Sequence, residues 1–219
     1  MTIALVIGAT GLVGRALVRL LVDDPRFDRV HVFARRPTNI AHSKLQEHIV
    51  DFERLDDDVK DAIRGDVLFS ALGTTRREAG SAKAQYRVDH DYQLDFAGRA
   101  ARNGVPVFVL ISSAGASVKS PSFYMRMKGE IERDAAALPF RHLHILRPGY
   151  LAGQRERARP AEALALAPLK LANALGVFRA YRPIAARTVG AAMIAAAFDH
   201  SSRQVIHEPG QLFALGGER

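Results

Sequence analysis

The chain has 219 residues, with 31 Lys plus Arg against 23 Asp plus Glu, a formal net charge of +8 and no cysteine. The length suits one domain with room for a small appended piece. The missing cysteines exclude a disulfide framework, a thiolate metal site and a thiol nucleophile, while the basic balance admits nucleic acid, an anionic membrane surface or an anionic small ligand.

Ile3–Ile7 is an apolar run ending at Gly8, the pattern of a strand buried on both faces in a parallel sheet. Leu12–Val22 sets Leu12, Ala16, Leu17, Leu20 and Leu21 on one helical face, and Asp23-Asp24-Pro25 ends it. Strands are expected at Val30–Phe33, Ile49–Val50 and Val67–Ala71, with a helix at Asp56–Ile63 whose acidic start complements its dipole. A long helix over Ala82–Arg102 closes at Asn103-Gly104. Val107–Ile111 is a fifth strand, Ser122–Ala137 a helix and His142–Leu146 a sixth strand. Ala161–Ala174 and Thr188–Phe198 read as helices, and Gln204–His207 as a weak strand. Apolar runs alternating with helical patterns mean βαβ units. The fold class is therefore α/β, a doubly wound parallel sheet in a single domain over residues 1–219. Gln154–Tyr181 reads as a small helical cap within it, and Val189–Phe198 is expected to pack back on the sheet.

The opening Met1–Gly8 has no basic leader, and no apolar stretch reaches the ~18 residues of a spanning helix. The expectation is a soluble, cytoplasmic protein. Eight histidines show no pair at metal spacing with a carboxylate, so no metal site is expected. The chain has no tryptophan, and its aromatics do not interleave with a basic stripe, which leaves nucleic-acid stacking without support.

Three features carry chemistry. Gly8-Ala9-Thr10-Gly11-Leu12-Val13-Gly14 follows a strand and opens a helix. Gly8 allows the tight turn, Gly11 lets backbone approach a pyrophosphate at the helix N-terminus, and Gly14 allows close helix–strand packing. Arg35 and Arg36 stand where the second strand ends, with no carboxylate beside them. An acidic residue there suits the ribose hydroxyls of NAD, whereas an arginine fork suits the 2′-phosphate of NADP. NADP(H) is the preferred cofactor and NAD(H) a possible one. Finally, Ser112-Ser113 ends the fifth strand, and Tyr124 and Lys128 lie four apart on the next helix, hence on one face. A lysine ammonium favours a nearby phenolate, so Tyr124 can exchange a proton with a carbonyl or alcohol oxygen that a serine hydroxyl holds. Against these readings stand a plain structural turn, a solvated arginine pair and a helix-surface pair.

On these motifs the chain resembles the atypical short-chain dehydrogenase/reductases, whose NAD(P)-binding domain has the Rossmann fold. Within them it resembles the branch of the human oxidoreductase TIP30 and its bacterial relatives. Ala71–Arg76, Val88–Tyr92, Ser112–Ala116, Tyr124–Glu130 and Arg147–Gly149 match as well as the glycine turn, so the likeness covers most of residues 1–150. It implies a catalytic serine at Ser113, a catalytic tyrosine at Tyr124 and a ribose-binding lysine at Lys128. It also implies cofactor contacts from Leu72, Gly73 and Thr74, from Pro148, Gly149 and Tyr150 at the nicotinamide end, and from Asp51 with Phe52 on the adenine side. One departure stands out: Asp89 takes the place of an asparagine that supports a proton relay in many relatives. The resulting expectation is an NADP(H)-dependent oxidoreductase acting on a small carbonyl or alcohol. The alternative is an NADP(H)-binding regulator with little catalysis that acts through a protein partner. The other partners expected are a small-molecule substrate and a second copy in a homodimer, with no nucleic acid and no membrane.

Overall fold

The computed structural model describes residues 1–55, 59, 62–152 and 182–218. Its main sheet has seven strands: β1 (Ile3–Ile7), β2 (Arg29–Ala34), β3 (Leu45–Ile49), β4 (Val67–Ser70), β5 (Val107–Ile111), β6 (His142–Leu146) and β9 (Gln204–His207). Their spatial order is β3-β2-β1-β4-β5-β6-β9, and every neighbouring pair is parallel. Two further short strands, β7 (Leu151–Ala152) and β8 (Ile184–Ala185), pair with each other outside it. The chain runs outward from β1 in one direction through β2 and β3, then returns to the other side of β1 with β4. That reversal opens a crevice at the carboxyl ends of β1 and β4, where ligands of open α/β sheets bind.

Strand alternation divides the core in two. Ala4 and Val6 of β1 face one layer, with Leu17 and Leu21 of α1 (Leu12–Asp23), Val189 and Met193 of α6 (Ala186–Ala197), and Phe213 of α7 (Pro209–Leu215). Leu5 and Ile7 face the other, with Phe96 of α4 (Tyr92–Arg102) and Ile131 of α5 (Phe123–Ala136). Helices on both faces are what a sheet buried on both sides requires. On the first face α6 packs against α1 at Gly190, where a Cβ would stand 3.2 Å from the Leu17 backbone. The expected return of Val189–Phe198 onto the sheet therefore holds.

Two elements differ from the sequence reading. The third strand occupies Leu45–Ile49 rather than Ile49–Val50. It is an edge strand with half-exposed residues and polar Gln46, Glu47 and His48, so no apolar run marks it. The long helix is not continuous α: α3 (Ala82–Tyr86) passes into a π-helical turn at Arg87–Asp91 before α4 begins. Apolar periodicity does not register one wide turn. The short helix α2 (Arg76–Ala79) and α7 also escaped the sequence reading, although Thr75 and Glu78 form a capping box that was legible there. Most of Asp56–Ile63, the helix Ala161–Ala174 and the whole of the cap Gln154–Tyr181 lie outside the described residues.

Candidate cofactor and active site

The glycine turn forms the floor of a cleft of about 640 Å3 at the β1/β4 reversal. Gly8 adopts φ +82°, and a Cβ there would fall 2.3 Å from the Ala71 carbonyl carbon. A Cβ on Gly14 would fall 2.1 Å from the Gly8 carbonyl oxygen, so α1 starts directly against the end of β1. Gly11 is the N-cap of α1, no side chain caps the helix, and its first turn carries no acidic residue. The first-turn amides of Leu12, Val13 and Gly14 therefore present donors and the positive end of the helix dipole. Leu12 is exposed at this end, while Val13 and Gly14 are buried beneath it.

Gly8, Thr10, Gly11, Arg35, Arg36, Phe52, Leu72, Gly73 and Thr74 all line the cleft, as do Phe33, Ala34, Ala71, Glu78 and Val88, to which the sequence reading gave no cofactor contact. Arg35 and Arg36 are exposed where β2 ends. Phe52 is buried and stacks on Tyr92 with ring centroids 5.9 Å apart. Asp51 is exposed and does not line the cleft. Its Oδ1 instead accepts from the Glu53 amide at 2.9 Å, holding the turn that presents Phe52.

The remaining motif residues gather further along the same carboxyl edge. Ser112 and Ser113 follow β5, and the Ala114 amide donates to the Pro148 carbonyl at 3.0 Å, which fixes the Pro148–Tyr150 loop beside Ser113. Ser112 is buried with its Oγ unpartnered, and Ser113 is half-buried. Pro148 is buried and Tyr150 exposed. Tyr124 and Lys128 sit one turn apart on α5, Tyr124 at the surface and Lys128 only 4% exposed.

Lys128 does not stand alone. Its Nζ lies 3.3 Å from Oδ1 of Asp89, which is 2% exposed. Oδ2 of Asp89 accepts from the Thr74 amide at 2.8 Å, so one carboxylate joins the cleft-lining loop to α5. The π-helical turn sets this residue. Gln93 donates to the Asp89 carbonyl at 2.5 Å and accepts from Ser70 Oγ at 2.6 Å, pinning the turn to β4. Burial pushes the Asp89 carboxyl above the usual aspartate range, and the Lys128 ammonium and Thr74 amide pull it partly back. The sequence showed Asp89 as an unusual residue but not its partner, because the wide turn re-aims the side chain.

The donor set fits a nicotinamide dinucleotide: unclaimed helix amides and a glycine floor for a pyrophosphate, and two guanidinium groups for a further phosphate. Comparisons with known proteins agree. A family model described as NAD(P)H-binding matches residues 8–161. The mitochondrial protein fmp52 of Emericella nidulans is 44% identical over 165 residues, covering 73% of this chain and 71% of the relative. The FMP52 protein of Saccharomyces cerevisiae, also named mitochondrial, is 42% identical over 71% of this chain and 68% of its own. Among solved structures, MoeE5 in complex with UDP-glucose and NAD superposes with a TM-score of 0.66 at 19% identity, over 98% of this chain and 80% of that one. A short-chain dehydrogenase family protein from Francisella tularensis gives 0.66 at 17% identity, over 96% and 98%. These solved structures show the Rossmann-like fold.

The relatives overturn the cytoplasmic expectation, since several at 42–44% identity are named mitochondrial. That expectation rested on lacking a secretory leader and a spanning helix, and neither distinguishes a cytosolic protein from a mitochondrial one. The comparisons support an NAD(P)H-binding protein with this fold and leave the short-chain dehydrogenase/reductase likeness, with its TIP30 branch, as an expectation from the motifs. With its glycine turn, its parallel sheet and these relatives, the chain belongs to the NAD(P)H-binding family.

Proposed function

We propose that this protein is an NADP(H)-dependent oxidoreductase that interconverts a small carbonyl compound and its alcohol. One observation carries the reading. The parallel sheet sets the glycine turn, the arginine pair and the Leu72–Thr74 loop in one cleft, and Ser113, Tyr124 and Lys128 follow along the same carboxyl edge.

A bound nicotinamide dinucleotide supplies or accepts the hydride. The amides of Leu12–Gly14 hold its pyrophosphate, and Arg35, with Arg36 beside it, holds the 2′-phosphate. Leu72, Gly73 and Thr74 form the wall along it, Phe52 closes the adenine side, and Pro148–Tyr150 borders the nicotinamide end. Ser113 orients the substrate oxygen. Tyr124, exposed where substrate arrives, gives that oxygen a proton in reduction and takes it back in oxidation. Lys128 binds the ribose from the turn of α5 next to Tyr124.

The test is a titration of purified protein with NADPH and NADH by nicotinamide fluorescence, followed by turnover on a carbonyl panel. NADPH binds at least about tenfold tighter than NADH, Arg35→Ser removes that preference, and Tyr124→Phe lowers kcat about 10²–10⁴-fold. Tighter binding of NADH would sink the Arg35 assignment. NADPH binding with no turnover by the unmodified protein would favour the regulator.

A further inference from the structure

Lys128 and Asp89 form a buried pair in which the carboxylate has two donors to satisfy, one on each oxygen: Lys128 Nζ at 3.3 Å and the Thr74 amide at 2.8 Å. Only an aspartate meets both in this geometry. An asparagine would offer a single oxygen and turn an amide N–H toward one of the two donors. The residue is therefore built as an anion bridge, not as the neutral relay amide whose place it occupies. An opposite charge at this distance, away from water, offsets part of the ammonium's field at its surroundings.

Other charged groups around α5 have partners of their own. From the π-helical turn, His90 Nδ1 contacts Asp91 at 2.9 Å and Nε2 contacts Asp134 at 3.0 Å. Tyr86 of α3 is hydrogen-bonded to Glu130. On α4, Asp95 pairs with Arg99 at 3.1 Å. Beyond β6, Arg147 is held by Glu132 at 2.6 Å and by Glu208 at 2.8 Å. Within α5, Arg126 donates to the Ser120 carbonyl at 2.9 Å. Among the described residues, Asp89 is the carboxylate in ion-pair contact with Lys128.

Resting on the oxidoreductase reading, we propose that Asp89 is a positioning residue: it holds Lys128 in place and offsets its charge, so that the Tyr124 hydroxyl one turn away feels a weaker positive field than an unpaired lysine would impose. The same bridge ties the cofactor loop at Thr74 to the helix that carries Tyr124.

The protein allows a direct optical test, because it has five tyrosines and no tryptophan. Phenolate absorbance is titrated against pH, and the Tyr124 component is taken by difference from Tyr124→Phe. In Asp89→Asn the Tyr124 phenolate emerges about one pH unit or more below its position in the unmodified protein. The alkaline fall of the reductive rate moves down with it. The double variant Asp89→Asn/Lys128→Met, which is neutral like the native pair, returns the optical onset to its native position. An onset unmoved in Asp89→Asn overturns the proposal, as does a double variant that keeps the shift. Should Asp89→Asn not fold, Lys128→Met reads the same field from the other side. Its uncompensated Asp89 raises the onset, and an unchanged onset again refutes the role. These optical arms need no substrate. Failure to bind NADPH in the fluorescence titration would remove the oxidoreductase reading and leave the phenolate comparison to be judged separately.

Discussion

Gly14 has little steric freedom, because the Gly8 carbonyl oxygen occupies the place of any side chain, 2.1 Å from a Cβ. Contact that close cannot be absorbed by a rotamer change, since the obstacle is backbone. Gly14→Ala is expected to push α1 off the end of β1, destabilise the fold by about 1–3 kcal/mol and weaken NADPH binding at least tenfold. Urea unfolding and the fluorescence titration check the two parts, and an alanine variant of native affinity would remove the pyrophosphate role from this turn. The glycine pattern was legible because sterics alone dictate it. Asp51 was less so. Its sequence position suggested a ligand contact, yet its oxygen is spent on the Glu53 amide and only its neighbour Phe52 reaches the cleft. Asp89 was legible as an exception and illegible as a partner of Lys128, since that contact spans 39 positions and depends on one π-helical turn.

At the scale of elements, the two edges of the sheet share a device. On β2 and β3, His31 and His48 meet nitrogen to nitrogen at 3.3 Å, and on β6 and β9, His144 and His207 meet at 3.2 Å. Each contact needs a donor on one ring and a lone pair on the other, so protonating both rings turns it repulsive. Burial is the first cause that holds all four below the ordinary histidine value of 6.5. The folded state resists protons that the unfolded chain accepts. The stability linked to these groups is therefore complete above pH 6.5 and is lost as pH falls below it toward the folded values. Thermal unfolding should show a steady Tm above that point and a decline below it, and His144→Gln/His207→Gln should flatten the decline. An equally steep decline in that variant would mean other groups carry it. The central strands were legible as apolar runs. The polar edge β3 was displaced in the sequence reading because half its residues face water, whereas β9 kept enough alternation to be found.

For the whole molecule, the net charge of +8 bears on how ligand arrives. Arg35 and Arg36 lie exposed at the mouth of a cleft suited to a polyanion, and the chain as a whole carries the same sign in excess. Association of NADPH, followed by stopped-flow fluorescence, should slow at least about tenfold from low to high ionic strength. Dissociation should change far less, and an association rate indifferent to salt would mean the arginines act only at contact.

The seating of α6 on α1 also bears on synthesis. Leu17 and Leu20 are met by a residue about 170 positions later in the chain, Gly190 of α6. A ribosome therefore delivers the glycine turn, and the helix behind it, long before the cover for that helix. Until then the nascent chain presents an uncovered apolar stripe, a natural holding point for chaperones. The first helix to be made is among the last to be buried.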